Sequence, residues 1–131
     1  MKKSGILNQQ LSALIAATGH TDRVVVSDAG LPIPLQSEKI DLALLPNQPR
    51  FLDVLRAVTG ELAVEKIILA EETQKFSPAM HRSIMDLFPG IPVETMPHVD
   101  FKRKTQEARA FIRSGEFTPY ANIILVAGVV Y

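Results

Sequence analysis

The sequence contains no cysteine, and it has no excess of either charge. The absence of cysteine excludes disulfide frameworks, thiolate nucleophiles and cysteine-ligated zinc, and it fits a reducing compartment. Fourteen basic residues balance fourteen acidic ones, so the formal net charge is zero. A neutral chain has no long-range field that would attract nucleic acid or an anionic membrane. The expected partner is therefore small or uncharged.

Long hydrophobic runs are also missing. Two lysines near the start resemble the beginning of a signal peptide, but polar residues from Asn8 to Ser12 interrupt the apolar stretch that should follow. No segment approaches the length needed to span a membrane. We therefore expect a cytoplasmic protein with no membrane partner.

Common catalytic signatures are absent as well. The seven glycines form neither the GxGxxG nor the GxxxxGK[ST] pattern, which disfavours a nucleotide cofactor. Neither a GxSxG elbow nor an HExxH helix occurs, so the frequent hydrolase signatures are missing too. Any chemistry must rest on polar side chains that the fold brings together.

The sequence does contain an alternation of helix and strand patterns, consistent with one domain over residues 1–131. Apolar residue types make up 47% of the chain, enough to bury a core. The pattern predicts helices over 9–18, after Pro49, from Ser77-Pro78, and over 101–109 with Asp100 as cap, and strands over 24–26, 40–44, 66–70, 93–96, 110–112 and 123–126. It favours an α/β fold, a three-layer α/β/α domain with a mixed, mainly parallel sheet. The last two strands, joined only by a loop, are expected to be antiparallel.

Polar residues that suit catalysis fall in three loops at the predicted strand ends. The first loop holds His20, with Asp28 beyond the strand that follows; the second holds His98, and the third spans residues 119–122. The strand separates its two ends by about 20 Å, at roughly 3.3 Å per residue. His20 and Asp28 are therefore expected to lie apart within one chain, which favours a site shared between subunits.

Structural interpretations stay open for these residues. A histidine after a helix often only offsets the helix dipole, so spacing alone leaves His20 evenly balanced between a structural and a catalytic role. Asp28 before Ala-Gly suits a turn former. His98 and Tyr120 could be surface or interface groups. Glu71-Glu72 suits either a carboxylate site or a helix cap.

At these loops the sequence resembles the D-ribose pyranase family and its relatives, the L-fucose mutarotases. The stretches that carry the resemblance are Lys2-Lys3 with Gly5-Ile6-Leu7-Asn8, Gly19-His20-Thr21-Asp22, Asp28-Ala29-Gly30-Leu31-Pro32, His98 with Phe101-Lys102, Ile112-Arg113-Ser114-Gly115-Glu116, and Pro119-Tyr120-Ala121-Asn122. Thr21 and Gly30-Leu31 are similar to the ribose branch, since the fucose branch has Gly and Asn-Phe there. Asn47 stands where the family has Gly; because Asn tolerates a left-handed backbone, the loop is expected to keep its shape.

The resemblance also implies a function. The site residues that it implies are His20 as proton donor, Asp28, His98, Tyr120, Ala121 and Asn122 as sugar-binding residues, and Lys102 close to the site. The implied substrate is free D-ribose, converted between its pyranose and furanose forms in ribose catabolism without a cofactor or a metal. The implied assembly is a homo-oligomer, a decamer built from rings, with sites between subunits.

The implied reaction opens the sugar ring and closes it on a different hydroxyl, so only protons move. Histidine is well suited to protonate the departing ring oxygen near neutral pH, which favours His20, while Asp28 or a water accepts the proton of the anomeric hydroxyl. Three alternatives remain open. They are an L-fucose-type mutarotase, a non-catalytic sugar-binding accessory protein, and a metal-dependent isomerase or hydrolase with His20, His98 and Asp28 as ligands.

Overall fold

Six strands form one sheet, which is accompanied by five helices. The computed structural model describes residues 1–131. The strands are Arg23–Ser27 (β1), Glu38–Asp41 (β2), Val64–Ala70 (β3), Val93–Met96 (β4), Ala110–Arg113 (β5) and Ile123–Ala127 (β6). The helices are Gln9–Ala17 (α1), Phe51–Thr59 (α2), Glu71–Phe76 (α3), Pro78–Asp86 (α4) and His98–Thr105 (α5). None of these helices is long and apolar enough to cross a membrane.

The sheet has the strand order β2-β5-β1-β6-β3-β4. β5 pairs in parallel with both β1 and β2, and β3 pairs in parallel with β4, whereas β6 lies antiparallel to β1 and β3. Five strands therefore run one way and β6 runs against them, which confirms the mixed, mainly parallel sheet. The last two strands do run in opposite directions, but they do not pair, because β1 lies between them.

The two faces of the sheet are covered unequally. Helices α1, α2 and α4 pack on one face, over a core cluster of 19 buried residues. Helix α5 and the segment after β1 cover the other face, over a cluster of 8 buried residues. Val24 and Val26 belong to the larger cluster and Val25 to the smaller one, as the alternation of side chains along a strand requires. The three-layer architecture is confirmed, with one thick and one thin helical layer.

The strand predicted over 40–44 is shorter than its alternating pattern suggests. β2 ends at Asp41, and Leu44 is 78% exposed. The Asp41 carboxylate accepts a hydrogen bond from the Ala43 amide and pairs with Arg113. Since β5 also ends at Arg113, β2 has no strand to pair with beyond this point.

The helix predicted over 101–109, with Asp100 as its cap, begins earlier than expected. Helix α5 starts at His98, whose amide donates to the Glu72 carboxylate at 2.8 Å. An acidic residue from a distant segment thus satisfies the first turn and favours the positive end of the helix dipole. Asp100 pairs instead with Arg103 on the helix surface. The sequence pattern does not predict α3, the short helix that contains Glu72.

Candidate active site

A cavity of about 670 Å³ opens at the end of the sheet where the parallel strands finish. The residues around it come from the loop after β1, from α5 and from the loop between β5 and β6. Because β6 runs against β1, its first residues lie beside the last residues of β1, and the loop before β6 reaches the cavity. The lining includes Asp28, His98, Tyr120 and Asn122, together with Lys102. Four of the predicted sugar-binding residues are therefore brought together.

Asp28 is held in place by hydrogen bonds on both carboxylate oxygens. One oxygen accepts the Gly30 and Leu31 amides at 3.0 and 2.8 Å, the turn expected of Asp before Ala-Gly. The other accepts the side-chain amide of Asn122 at 2.9 Å. An ionised carboxylate has about four acceptor sites, so one remains for a ligand hydroxyl. Asp28 is thus a turn former and also a fixed acceptor at the cavity.

Ala121 and Asn122 are both almost fully buried, but they differ in what they contact. The Ala121 side chain belongs to the larger core cluster and does not line the cavity. Ala121 could therefore contact a ligand only through its backbone. The Asn122 side chain bonds the Asp28 carboxylate through its nitrogen and the Asp28 amide through its oxygen, each at 2.9 Å. Asn122 therefore orients Asp28.

His98 and Tyr120 come from distant segments and meet at one wall of the cavity. Their ring centroids lie 5.0 Å apart in a T-shaped arrangement, a favourable geometry for two aromatic rings. The Tyr120 ring also stacks on Phe76 at 5.7 Å. Tyr120 has a positive φ of 60°, which is uncommon for a bulky residue.

The surroundings of His98 favour the uncharged form of its imidazole, because they lower its pKa. Burial lowers its pKa below the usual 6.5 and the charge of Lys102 lowers it further, against weaker opposing effects of Glu72 and Asp28. Its Nδ1 atom is buried and has no hydrogen-bond partner in the protein. A neutral imidazole has one nitrogen that donates and one that accepts, which suits recognition of uncharged hydroxyl groups.

A buried carboxylate, Glu116, supports the loop before β6. Its side chain is 1% exposed and accepts hydrogen bonds from Arg50, from the Phe51 amide, and from the hydroxyl and amide of Thr118. Burial raises the pKa of this carboxyl, but the bonds from Thr118, Phe51 and Arg50 outweigh it, so the pKa lies below its usual 4.5. Local spacing does not predict this role; only the family-like stretch that contains Glu116 draws attention to it.

Asn47 supports the same loop from the other side. Its φ is 61°, which confirms the left-handed backbone expected where the family has Gly. Its side-chain oxygen accepts the Phe117 amide at 3.0 Å. Gly115 lies close by, where an added Cβ would stand 2.4 Å from the carbonyl oxygen of Gln48. Only glycine fits there without displacing the backbone.

Two cationic side chains border the cavity. Lys102 lines it, as the resemblance implies. Arg113 was not predicted; it donates to the Ala29 carbonyl at 3.0 Å and pairs with Asp41 at 3.1 Å. Arg113 therefore ties the loop after β1 to the edge strand β2.

His20 lies before β1, at the opposite end of the strand from the cavity, and does not line it. Its side chain is 52% exposed, and Nε2 lies 2.8 Å from the Glu65 carboxylate. Glu65 sits where the ladder between β3 and β6 shifts register, and such a bulge re-aims a side chain. The next residue, Thr21, has a φ of 68°, a conformation that glycine adopts more readily. One chain thus presents His20 at one end of the sheet and the cavity at the other.

The ligand set of the metal-dependent alternative is not assembled within one chain. His98 and Asp28 border the cavity, but His20 lies beyond the far end of β1. No group of three or more His, Cys, Asp or Glu residues that could hold a metal ion occurs in the chain. A site built from these three residues needs more than one copy.

Comparison with protein-family models matches residues 1–130 to the RbsD / FucU transport protein family. The chain therefore belongs to this family. The resemblance inferred from the loop residues is confirmed.

Relatives of high identity extend over the whole chain. D-ribose pyranase from Geobacillus kaustophilus is 53% identical over 98% of this chain and 95% of that protein. D-ribose pyranase from Laribacter hongkongensis is 47% identical over the full length of both proteins. Among solved structures, Bacillus subtilis RbsD complexed with D-ribose matches with a TM-score of 0.96 and 46% identity, covering 100% of both chains. The fucose mutarotase of Streptococcus pneumoniae, in complex with L-fucose, shares the fold, with a TM-score of 0.74, 20% identity and 95% coverage of each chain.

Proposed function

We propose that this protein is an isomerase that interconverts the pyranose and furanose forms of free D-ribose. The observation that carries the proposal is the cavity with Asp28, His98, Tyr120 and Asn122 around it, on a fold that matches the RbsD complex with D-ribose at a TM-score of 0.96. The 53% identity to a D-ribose pyranase over nearly the whole chain supports both the substrate and the reaction.

The reaction needs a proton donor, a proton acceptor and a firm hold on the opened sugar. A proton reaches the ring oxygen on C5 as its bond to the anomeric carbon breaks, and the anomeric hydroxyl loses its proton to give the aldehyde. The C4 hydroxyl then adds to that carbon and releases its own proton, while the aldehyde oxygen takes one up. Only protons are exchanged, and each well-positioned transfer contributes about 10²- to 10⁴-fold.

The residues at the cavity suit the holding and accepting tasks. Asp28, already fixed by the protein, accepts the proton of the anomeric hydroxyl directly or through a water. His98, as a neutral imidazole, and Tyr120 hold the other hydroxyls, so the open aldehyde stays oriented for reclosure. Because these groups are ordered before the sugar arrives, little conformational entropy is lost on binding.

We infer that the proton donor is His20 of a neighbouring copy. Within one chain His20 cannot serve the cavity, since β1 separates the two. The cavity volume of about 670 Å³ lies in the range that holds drug-sized ligands, and a pentose is smaller. The remaining space accommodates a loop from another copy, and the exposure of His20 leaves it available for such a contact.

This arrangement supports the oligomer that the family resemblance implies. A contact between the His20 end of one copy and the cavity end of the next is head-to-tail, and head-to-tail contacts form a ring when the rotation between neighbouring copies closes on itself. A homodecamer made of such rings gives every cavity a donor. We place the reaction in the cytoplasm, before phosphorylation of the sugar, in agreement with the cysteine-free sequence.

A second candidate function is non-catalytic sugar binding. It is favoured by one observation: a single chain has a complete cavity but no histidine donor in it other than the neutral His98. Such a binder needs neither His20 nor a second copy.

NMR exchange of ribose signals tests the proposal. Saturation transfer between pyranose and furanose anomeric protons should be accelerated at substoichiometric protein, and a binder would leave these rates unchanged. Parallel measurements with L-fucose should show weaker acceleration; the reverse preference would identify an L-fucose-type mutarotase. Full activity after treatment with a chelator would exclude the metal-dependent alternative.

A further inference from the structure

The short helix α3 contacts both sides of the His98–Tyr120 wall, although none of its residues lines the cavity. Thr73 is fully buried, and its hydroxyl donates to the Tyr120 carbonyl at 2.8 Å. Ser77, which follows α3, is also buried and donates to the Pro119 carbonyl at 2.7 Å. Both hydroxyls therefore serve the loop before β6 rather than their own helix ends.

The bonds from α3 act at a residue with an unfavourable backbone conformation. A positive φ places the side chain of an L-residue close to the following carbonyl, and a non-glycine residue keeps it only where the surroundings impose it. Two hydrogen bonds impose this conformation at Tyr120, because its carbonyl accepts both the Thr73 hydroxyl and the backbone amide of Asn122. Phe76 of α3 then stacks on the Tyr120 ring and fixes its direction.

The same helix also fixes His98. The Glu72 carboxylate accepts the His98 amide at 2.8 Å and so determines where α5 begins. Glu72 and Thr73 are adjacent in sequence, so one turn of helix holds the backbones of both His98 and Tyr120. Their rings meet at 5.0 Å as a result of this shared support.

We propose that α3 is a positioning element for the sugar site, in which Thr73 and Glu72 set the relative placement of Tyr120 and His98. This inference rests on the proposed function, since one of its readouts is ring interconversion. Neither residue touches the sugar; both act through the residues that do.

The substitution Thr73→Val removes the hydroxyl and keeps the shape of the side chain. Because Tyr120 holds hydroxyls that stay bound throughout the reaction, the loss should fall on KM for ribose, which we expect to rise about five- to tenfold while kcat changes less than about twofold. Thr73→Ser, which restores the donor, should stay within about twofold of the wild-type KM. Thr59→Val is the matched control, because Thr59 donates to the Leu55 carbonyl on α2, away from the cavity.

NMR provides a readout that does not depend on activity. The chain has two tyrosines and no tryptophan, so Tyr131→Phe leaves Tyr120 as the only tyrosine. In that background the Tyr120 ring protons should carry ring-current shifts from both His98 and Phe76, which Thr73→Val should largely abolish and Thr73→Ser should retain. Glu72→Ala should reduce the shift from the His98 side, and it provides the test if Thr73→Val does not fold.

The outcomes separate the two proposals. Wild-type KM and unchanged Tyr120 signals in Thr73→Val would overturn the positioning role, as would equal impairment in Thr73→Ser. If Thr73→Val does not fold, unchanged Tyr120 signals in Glu72→Ala would overturn it. A wild-type protein that does not accelerate ring interconversion would overturn the proposed function, while the NMR shifts would still decide the role of α3.

Discussion

The two ends of strand β1 are built in different ways. At its carboxyl end the Asp28 carboxylate accepts three hydrogen bonds from the protein and stands beside a cavity. At its amino end the His20 side chain is half exposed, and its one hydrogen bond is to the surface carboxylate of Glu65. Under the proposed function this difference has a physical reason. Groups that hold a flexible open-chain sugar need to be fixed beforehand, whereas a donor that serves a neighbouring copy needs to be accessible in the isolated chain.

The largest expected effect concerns His20. The substitution His20→Gln should lower the rate of ring interconversion by about 10²- to 10⁴-fold, the usual contribution of a positioned proton donor. The fold should be unchanged, because the His20 side chain is half exposed and makes a single hydrogen bond at the surface. NMR exchange spectroscopy measures the rate, and circular dichroism checks the fold.

His81→Gln is the control for that loss. His81 lies on α4, outside the cavity, and should tolerate the change with full activity. Wild-type exchange rates in His20→Gln would show that His20, at the amino end of β1, is not the proton donor.

The second prediction tests whether the two ends work across copies. His20→Gln and Asp28→Asn should each be nearly inactive, yet co-refolded in equal amounts they should recover about a quarter of wild-type activity. Each shared site draws its donor and its cavity from different copies, and each copy has an even chance of being the intact one. A mixture that remains inactive would mean that both residues must come from the same copy.

The third prediction compares buried and exposed carboxylates. Glu116→Gln at the cavity end should lower the free energy of unfolding by about 2–4 kcal/mol, because the donors from Arg50, Phe51 and Thr118 lose an ionised acceptor. Urea denaturation at pH 7 measures this difference. A loss below about 1 kcal/mol would mean that the buried network contributes no more than a surface pair.

The same substitution should change the acid response. The folded-state pKa of Glu116 lies below its ordinary 4.5, so the unfolded chain binds this proton first. Its stabilisation is complete above about pH 4.5 and is lost as the pH falls through the lower folded-state pKa. Unfolding free energies measured from pH 6 downwards should therefore decline less steeply in Glu116→Gln than in the wild type.

The smallest effect is expected at the amino end. Glu65→Gln breaks the contact with His20, but both side chains are more than two-fifths exposed, so the free energy of unfolding should change by less than about 1 kcal/mol. Thermal unfolding at low and high salt checks this. A loss of unfolding free energy as large as that of Glu116→Gln would mean that the carboxylates at the two ends stabilise the fold equally.

The parts of the fold that depend on local pattern could be predicted from the sequence. The valines of β1 and the Asn8 cap of α1, which accepts the Leu11 amide at 2.9 Å, follow from residues close in the chain. The strand order could not, because nothing in the sequence pattern shows that β5 enters between β1 and β2. The predicted start of α5 was wrong for a similar reason, since the carboxylate that caps the helix, Glu72, lies 26 residues away in the sequence.

In the candidate site too, some residues could be identified from the sequence and others could not. Loop composition and the family resemblance identified Asp28, His98, Tyr120 and Asn122, which the fold brings together. The supporting side chains were missed because their contacts join distant segments, as in the bonds from Arg50 to Glu116 and from Thr73 to Tyr120. The separation of His20 from the cavity follows from strand length alone.

The antiparallel pairing of β1 with β6 joins the two ends of the molecule into one rigid element. At one end the Asp28 amide bonds Asn122, and at the other the Thr21 amide bonds the Ala127 carbonyl. The distance from His20 to the cavity is therefore fixed by the number of paired residues in a five-residue strand. In an assembly with shared sites that distance becomes the spacing between neighbouring cavities, so the length of β1 determines this spacing. One inserted residue would lengthen it by roughly 3.3 Å and turn the buried valines to the wrong faces.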